Sequence, residues 1–168
     1  MRPASLRDNN VRVVLPADNG DLWVGSDTAG VFYYRAALDA FEDLPQIPSF
    51  LKGGRIYCMI SDGQGGIWVG GQFGLVHYDA HNKTYESFLP SVNSNDDAGT
   101  ADRSRFTLKR VFSLFLDKNQ TLWVGGDPGL LTLRAGSNQF ERVQGVNGKH
   151  EVGARPLQSS DLRTNFAK

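Results

Sequence analysis

GGIWVG, residues 65–70, places a tryptophan between two β-branched residues and closes on glycine. Nearly the same phrase occurs as Asp21-Leu22-Trp23-Val24-Gly25 and as Thr121-Leu122-Trp123-Val124-Gly125. All 3 tryptophans of the chain lie in it. Their spacings, roughly 45 and 55 residues, suit a propeller blade or a helical repeat. The surrounding pattern favours strands, because β-branched and aromatic residues recur in short runs broken by glycine and polar turns.

At a constant distance before each tryptophan an aliphatic residue opens an apolar run: Val11 of VRVVL, Ile56 of IYCMI and Val111 of VFSLF. Both faces of these runs are apolar, which predicts buried strands. A polar turn follows in each unit, at residues 17–20, 62–65 and 117–120, and then the tryptophan strand ending near Gly25, Gly70 or Gly125. Gly30, Gly74 and Gly129 open a third strand, and Phe41-Glu42, Tyr85-Glu86 and Phe140-Glu141 begin a short, more polar fourth. One four-stranded sheet cannot bury both of its faces, but stacked sheets can. The tryptophans offer each neighbour a large apolar surface. The fold class is therefore all-β, with three four-stranded antiparallel sheets as blades. The expected bounds are residues 6–44, 54–89 and 110–143, with a polar insertion at 89–109 and an irregular tail at 144–168.

The pattern Asp-x-x-Gly-x-Leu-Trp-Val-Gly, followed by Gly-Leu and Tyr-Asp, resembles the two-component regulator propeller repeat. The fullest match runs through Arg55, Ile56, Asp62, Gly66, Ile67, Trp68, Val69, Gly70, Gly74, Leu75, Tyr78 and Asp79. The third unit departs at Leu133, where the repeat has tyrosine, and the first has one extra residue between Trp23 and Gly30. The resemblance implies a sensory propeller of bacterial hybrid two-component regulators. It also implies an extracytoplasmic location and a ligand that is often a carbohydrate. Output domains of such regulators have no counterpart in these residues.

Hydrophobic residues make up 40% of the chain and aromatics 11%, enough for a core and against global disorder. Eighteen basic residues balance 18 acidic ones, so no general attraction to nucleic acid or an anionic membrane is expected. The single cysteine, Cys58, excludes an internal disulfide and reads as a buried thiol among Tyr57, Met59 and Ile60. MRPASLRDNN has no apolar stretch and is not expected to be a signal peptide, and no run is long and apolar enough for a spanning helix.

Three blades fall short of a closed propeller, which typically has four to eight. Either the chain is a piece of a larger propeller, or two copies form a six-bladed ring, or the sheets remain an open arc. Residues 89–109 read as a polar connection between blades, and 144–168 as a docked arm, an exchanged strand or a loose tail.

No catalytic constellation, metal site or cofactor motif is expected. His77 falls in a strand and His81 in the following turn, which argues against a shared metal. Asp62 and Asp117 suit backbone capping of their turns. Gly63–Gly66 lacks the Lys-Ser/Thr of a phosphate loop. The candidate binding residues are instead Arg12, Arg55, Tyr57, Arg110 and Phe112, near the starts of equivalent strands. Arg55 and Arg110 align with Asn10, while Tyr57 and Phe112 align with Arg12. Such positions approach the rim of a central channel, where charge can meet an anionic sugar or partner. The leading reading is a non-enzymatic ligand-binding sensor, the second a protein-interaction scaffold, and the third a propeller lyase or glycosidase.

Overall fold

A computed structural model describes residues 6–42, 44, 47–88, 109–127, 129–137 and 140–143. It contains three separate four-stranded antiparallel sheets, each a simple meander. The first is β1 (Val11–Pro16), β2 (Leu22–Ser26), β3 (Val31–Arg35) and β4 (Ala40–Glu42). After a one-turn helix α1 (Ser49–Lys52) comes the second: β5 (Ile56–Ser61), β6 (Ile67–Gly71), β7 (Gly74–Asp79) and β8 (Thr84–Phe88). The third is β9 (Arg110–Leu116), β10 (Leu122–Asp127), β11 (Gly129–Leu133) and β12 (Phe140–Arg142). Helix α1 and a 3-10 turn at Ala36–Leu38 were not indicated by the strand pattern. The expected insertion, apart from Lys109, and the expected tail lie outside the described residues.

The sheets stack face to face, with β1, β5 and β9 side by side along the inner edge. Between sheets one and two, Trp23, Val31 and Val13 meet Ile56, Met59 and Val69. Between sheets two and three, Trp68, Leu75 and Ile60 meet Val111, Leu122 and Leu131. Among the described residues only the middle sheet packs against a sheet on both faces, and β5 comes nearest the expectation of a buried inner strand. β1 and β9 leave Val11, Val14, Phe112 and Phe115 exposed, since among the described residues each of these sheets packs against another on one face.

The tryptophans differ in burial independently of this. Trp23 is buried, at 5% exposure, whereas Trp68 and Trp123 are half-buried. Trp123 donates its Nε1–H to Asp117 Oδ2 at 3.1 Å. Asp117 Oδ1 also accepts from the backbone N–H of Asn119 and Thr121. Asp62 caps its turn alike, accepting from Gln64 and Gly66. In sheet one this position is Ala17. There a buried Asp21 organises the turn, accepting the Ala36 N–H at 2.9 Å and pairing with Arg35 at 3.3 Å.

Gly30 shows why the repeat needs glycine where the third strand begins. Its φ is +85°, a left-handed conformation that strains any other L-residue. A Cβ there would also overlap the carbonyl oxygen of Leu51, the buried residue of α1.

One irregularity recurs in all three sheets. Val11 and Val13 pair with the consecutive residues Ser26 and Gly25. Ile56 and Cys58 pair with Gly71 and Gly70, and Val111 and Ser113 with Gly126 and Gly125. Each inner strand therefore carries a β-bulge, and the extra residues are Arg12, Tyr57 and Phe112. A bulge inserts a residue without a cross-strand partner and redirects its side chain. It also shifts the alternation, so Ile56 and Met59 face the same neighbour although they are three residues apart.

Candidate functional site on the inner edge

The three bulge residues form a continuous strip across the inner strands. The Arg12 guanidinium lies over the Tyr57 ring, 5.8 Å from its centroid. The Tyr57 and Phe112 rings are 5.2 Å apart, and Arg110 lies over Phe112 at 5.5 Å. Arg12 and Arg55 converge on one carboxylate, Asp27, while Arg110 pairs with Asp127 at 2.7 Å. The structure thus brings all five sequence-derived candidates together. The guanidinium groups outnumber these two carboxylates three to two.

Asp27 is mostly shielded, and its N–H is bonded to the Asn10 carbonyl at 2.9 Å. Arg12 donates its Nε–H to this carboxylate. Arg55 Nε stands 2.9 Å from the same oxygen but makes no hydrogen bond there, because its N–H is not aligned. The strip therefore has a guanidinium held near an acceptor already engaged by another. These exposed arginines contribute little to stability as ion pairs. Their positions matter more for what they present to solvent. The repeat register marks the counter-ions: Asp27 and Asp127 stand two residues after Gly25 and Gly125, where the middle unit has Gln72.

Asp8 fixes the rim beside Asp27. It accepts from the Asn10 N–H at 2.9 Å and from the Thr28 N–H and hydroxyl at 2.8 and 2.9 Å. These bonds, the Asn10 bond first, lower its pKa from 3.8 to about 2. A depressed folded-state pKa contributes stability that is present above about pH 4 and is lost as pH falls through about 2. Thermal melts followed by circular dichroism at about pH 4.5, 3 and 2 should show a shallower acid-side decline for Asp8→Asn than for the unmodified chain. Equal declines would contradict this role.

Two further concavities lie near the opposite rim, between adjacent sheets, and could not be read from sequence because each joins residues of two repeats. The larger, about 370 Å³, is lined by Trp23, Tyr33, Arg35, Glu42, Tyr78 and Lys83. Its counterpart between sheets two and three is about 310 Å³ and includes Trp68, His77, Glu86, Phe88 and Arg134. Neither contains the inner-edge strip. Most polar groups of the larger cleft already bind one another: Arg35 pairs with Glu42 and Asp21, and Tyr33 with Asn19.

His77 stacks on Trp68 and lies 2.9 Å from Asp62, whereas the His81 N–H bonds to Asp79. Among the described residues, no three His, Cys, Asp or Glu side chains converge as metal ligands. Cys58 is half-buried against Val111, and burial raises its pKa to about 12. No helix among the described residues is long and apolar enough to cross a membrane.

The two component regulator propeller family matches residues 5–28 and 51–73. Curated proteins give no match. Two solved structures of the extracellular domain of a B. thetaiotaomicron protein align with TM-scores of 0.63 and 0.64 at 19% identity. One title terms that protein a one component system, the other a hybrid two component system. They cover 86% and 87% of this chain, which spans 18% of theirs. PorZ of Porphyromonas gingivalis, a bacterial surface component of the type-IX secretion system, aligns at TM-score 0.56 and 20% identity. That alignment covers 80% of this chain and 19% of PorZ. At these identities the likeness concerns the fold: the stacked four-stranded sheets are propeller blades. The chain is thus three blades of a partial β-propeller, and two of its segments, which hold β1–β2 and β5–β6, match the two component regulator propeller family.

Proposed function

We propose that the chain is a non-enzymatic, ligand-binding part of a sensory propeller, placed outside the cytoplasm in its parent protein. Its inner-edge strip takes an acidic carbohydrate. The observation that carries this reading is the convergence of Arg12, Tyr57 and Phe112 at three equivalent bulges, with the partly exposed Arg55 side chain beside them. Aromatic rings offer flat apolar surface to a sugar ring, and guanidinium groups bind carboxylates directionally. The repeat match and the extracellular setting of the B. thetaiotaomicron domain support a sensory role.

Calorimetric titration with uronic-acid oligosaccharides and their neutral counterparts tests the reading. The acidic set should bind more tightly, and added salt should weaken it. Arg55→Ala and Tyr57→Ala should each weaken binding about tenfold, the loss of one charge-assisted or stacking contact. Binding that survives both substitutions would contradict the assignment, as would no binding of either set. The Trp23–Tyr33–Tyr78 cleft supports a second reading through its larger volume and aromatic wall. In that case Tyr33→Ala, and not Tyr57→Ala, would abolish binding.

A further inference from the structure

The tryptophan indoles share one register of the repeat but differ in what accepts their N–H. In blade three the acceptor is Asp117, whose Oδ2 lies 3.1 Å from Trp123 Nε1. In blade two the equivalent carboxylate, Asp62, meets His77 Nε2 instead, at 2.9 Å. In blade one the position is Ala17, whose side chain accepts nothing. Trp23 is 5% exposed, and its Nε1–H has no acceptor among the described residues. Nor is that nitrogen sealed within the seam. Ala17 and Trp23 both line the cleft of about 370 Å³ between blades one and two.

An indole N–H can only donate, and a shielded donor without an acceptor costs stability. Tyr78 repeats the situation. It is 7% exposed, lines the same cleft, and its hydroxyl has no partner among the described residues. The Tyr33 and Tyr78 rings lie 4.5 and 5.4 Å from that of Trp23 and complete an aromatic wall. The more enclosed polar groups are already engaged. Arg35 pairs with Asp21 and Glu42, and Asn19 bonds to Asp21 and Tyr33. The many hydroxyls of a sugar would find few partners here, whereas an apolar ring with a single acceptor head would be satisfied. Lys83 and Asp18, both exposed, line the cleft and make no ion pair among the described residues.

We infer that this cleft binds a small aromatic carboxylate, whose head group takes the place at the Trp23 indole that Asp117 holds at Trp123. The ligand ring lies against the tyrosines, where stacking and apolar burial favour it. Lys83 is the cation that attracts the carboxylate, and Asp18 is the charge that opposes it. The site is separate from the inner-edge strip and does not rest on the carbohydrate reading.

Phenylacetate and phenylethanol share a ring and differ in the carboxylate, so they test the inference in N–H spectra of the labelled chain. Phenylacetate should shift the Trp23 indole signal saturably and leave that of Trp123 in place. Phenylethanol should bind at least about tenfold more weakly, the loss of a charge-assisted contact. Ala17→Asp restores the acceptor of blade three. It should keep the circular dichroism spectrum, move the Trp23 indole signal without ligand and weaken phenylacetate about tenfold. Ala17→Asn should do the same without adding charge. Lys83→Ala should weaken phenylacetate, and Asp18→Asn should strengthen it. An unmoved Trp23 indole signal at saturating phenylacetate would overturn the inference. Equal affinity for phenylethanol would overturn the carboxylate, and full affinity in both Ala17 variants would overturn its placement at the indole.

Discussion

Trp23→Ala should lower unfolding stability by about 3–5 kcal/mol, the range for removing a large buried aromatic side chain. Trp23 is 5% exposed at the seam between the first two blades. Its ring centroid is 4.5 Å from Tyr33 of its own blade and 5.4 Å from Tyr78 of the next. The substitution removes dispersion contacts on both sides and leaves a cavity that two rigid sheets cannot readily close. Urea denaturation followed by circular dichroism should show a lower midpoint with an unchanged slope. Trp68→Ala should cost less, because Trp68 is half-buried against His77 and Phe88. Equal losses at the two positions would show that the seams are packed differently from the structure.

The second large effect is expected at Ile56. Ile56→Ala should cost about 2–5 kcal/mol, whereas Ile56→Val should cost only about 0.5–1.5 kcal/mol. The valine keeps the β-branch that packs over Gly25, where a Cβ would lie 2.6 Å from Ile56 Cγ2, while the alanine leaves that space empty. Gly25→Ala probes the contact from the other side, since its new Cβ would crowd both Ile56 and Val13. The four chains compared in one urea series separate loss of buried area from loss of fit. An Ile56→Ala cost below about 1 kcal/mol would be typical of a surface site and would contradict the close packing of Ile56 over Gly25.

The blades were legible because each repeat states them with several agreeing signals. The tryptophan phrase, the glycines at strand starts and the aromatic-Glu pairs fall in phase, and each has a direct physical consequence in a strand or turn. What the repeat could not state is which sheet has neighbours. VRVVL and VFSLF read as buried on both faces, yet β1 and β9 are half open, because among the described residues each packs against another sheet on one face only. Equivalent sequence is buried or exposed according to its place in the arc.

The candidate site was legible in composition but not in geometry. Arg12, Tyr57 and Phe112 align by count, and only the bulges explain why they share one edge. A bulge is a matter of pairing between strands, and local sequence does not specify it. The clefts were hidden for a similar reason, since Trp23 and Tyr78 belong to different repeats.

An amide chemical-shift map of the labelled chain, titrated with uronic-acid oligosaccharides, tests the placement of the site most directly. A ligand on the inner edge should shift Arg12, Asp27, Arg55, Tyr57, Arg110 and Phe112 together and leave Tyr33 and Lys83 unmoved. Shifts confined to Trp23, Tyr33, Tyr78 and Lys83 would move the site to the inter-blade cleft, and an unchanged spectrum at saturating sugar would contradict a carbohydrate-binding role.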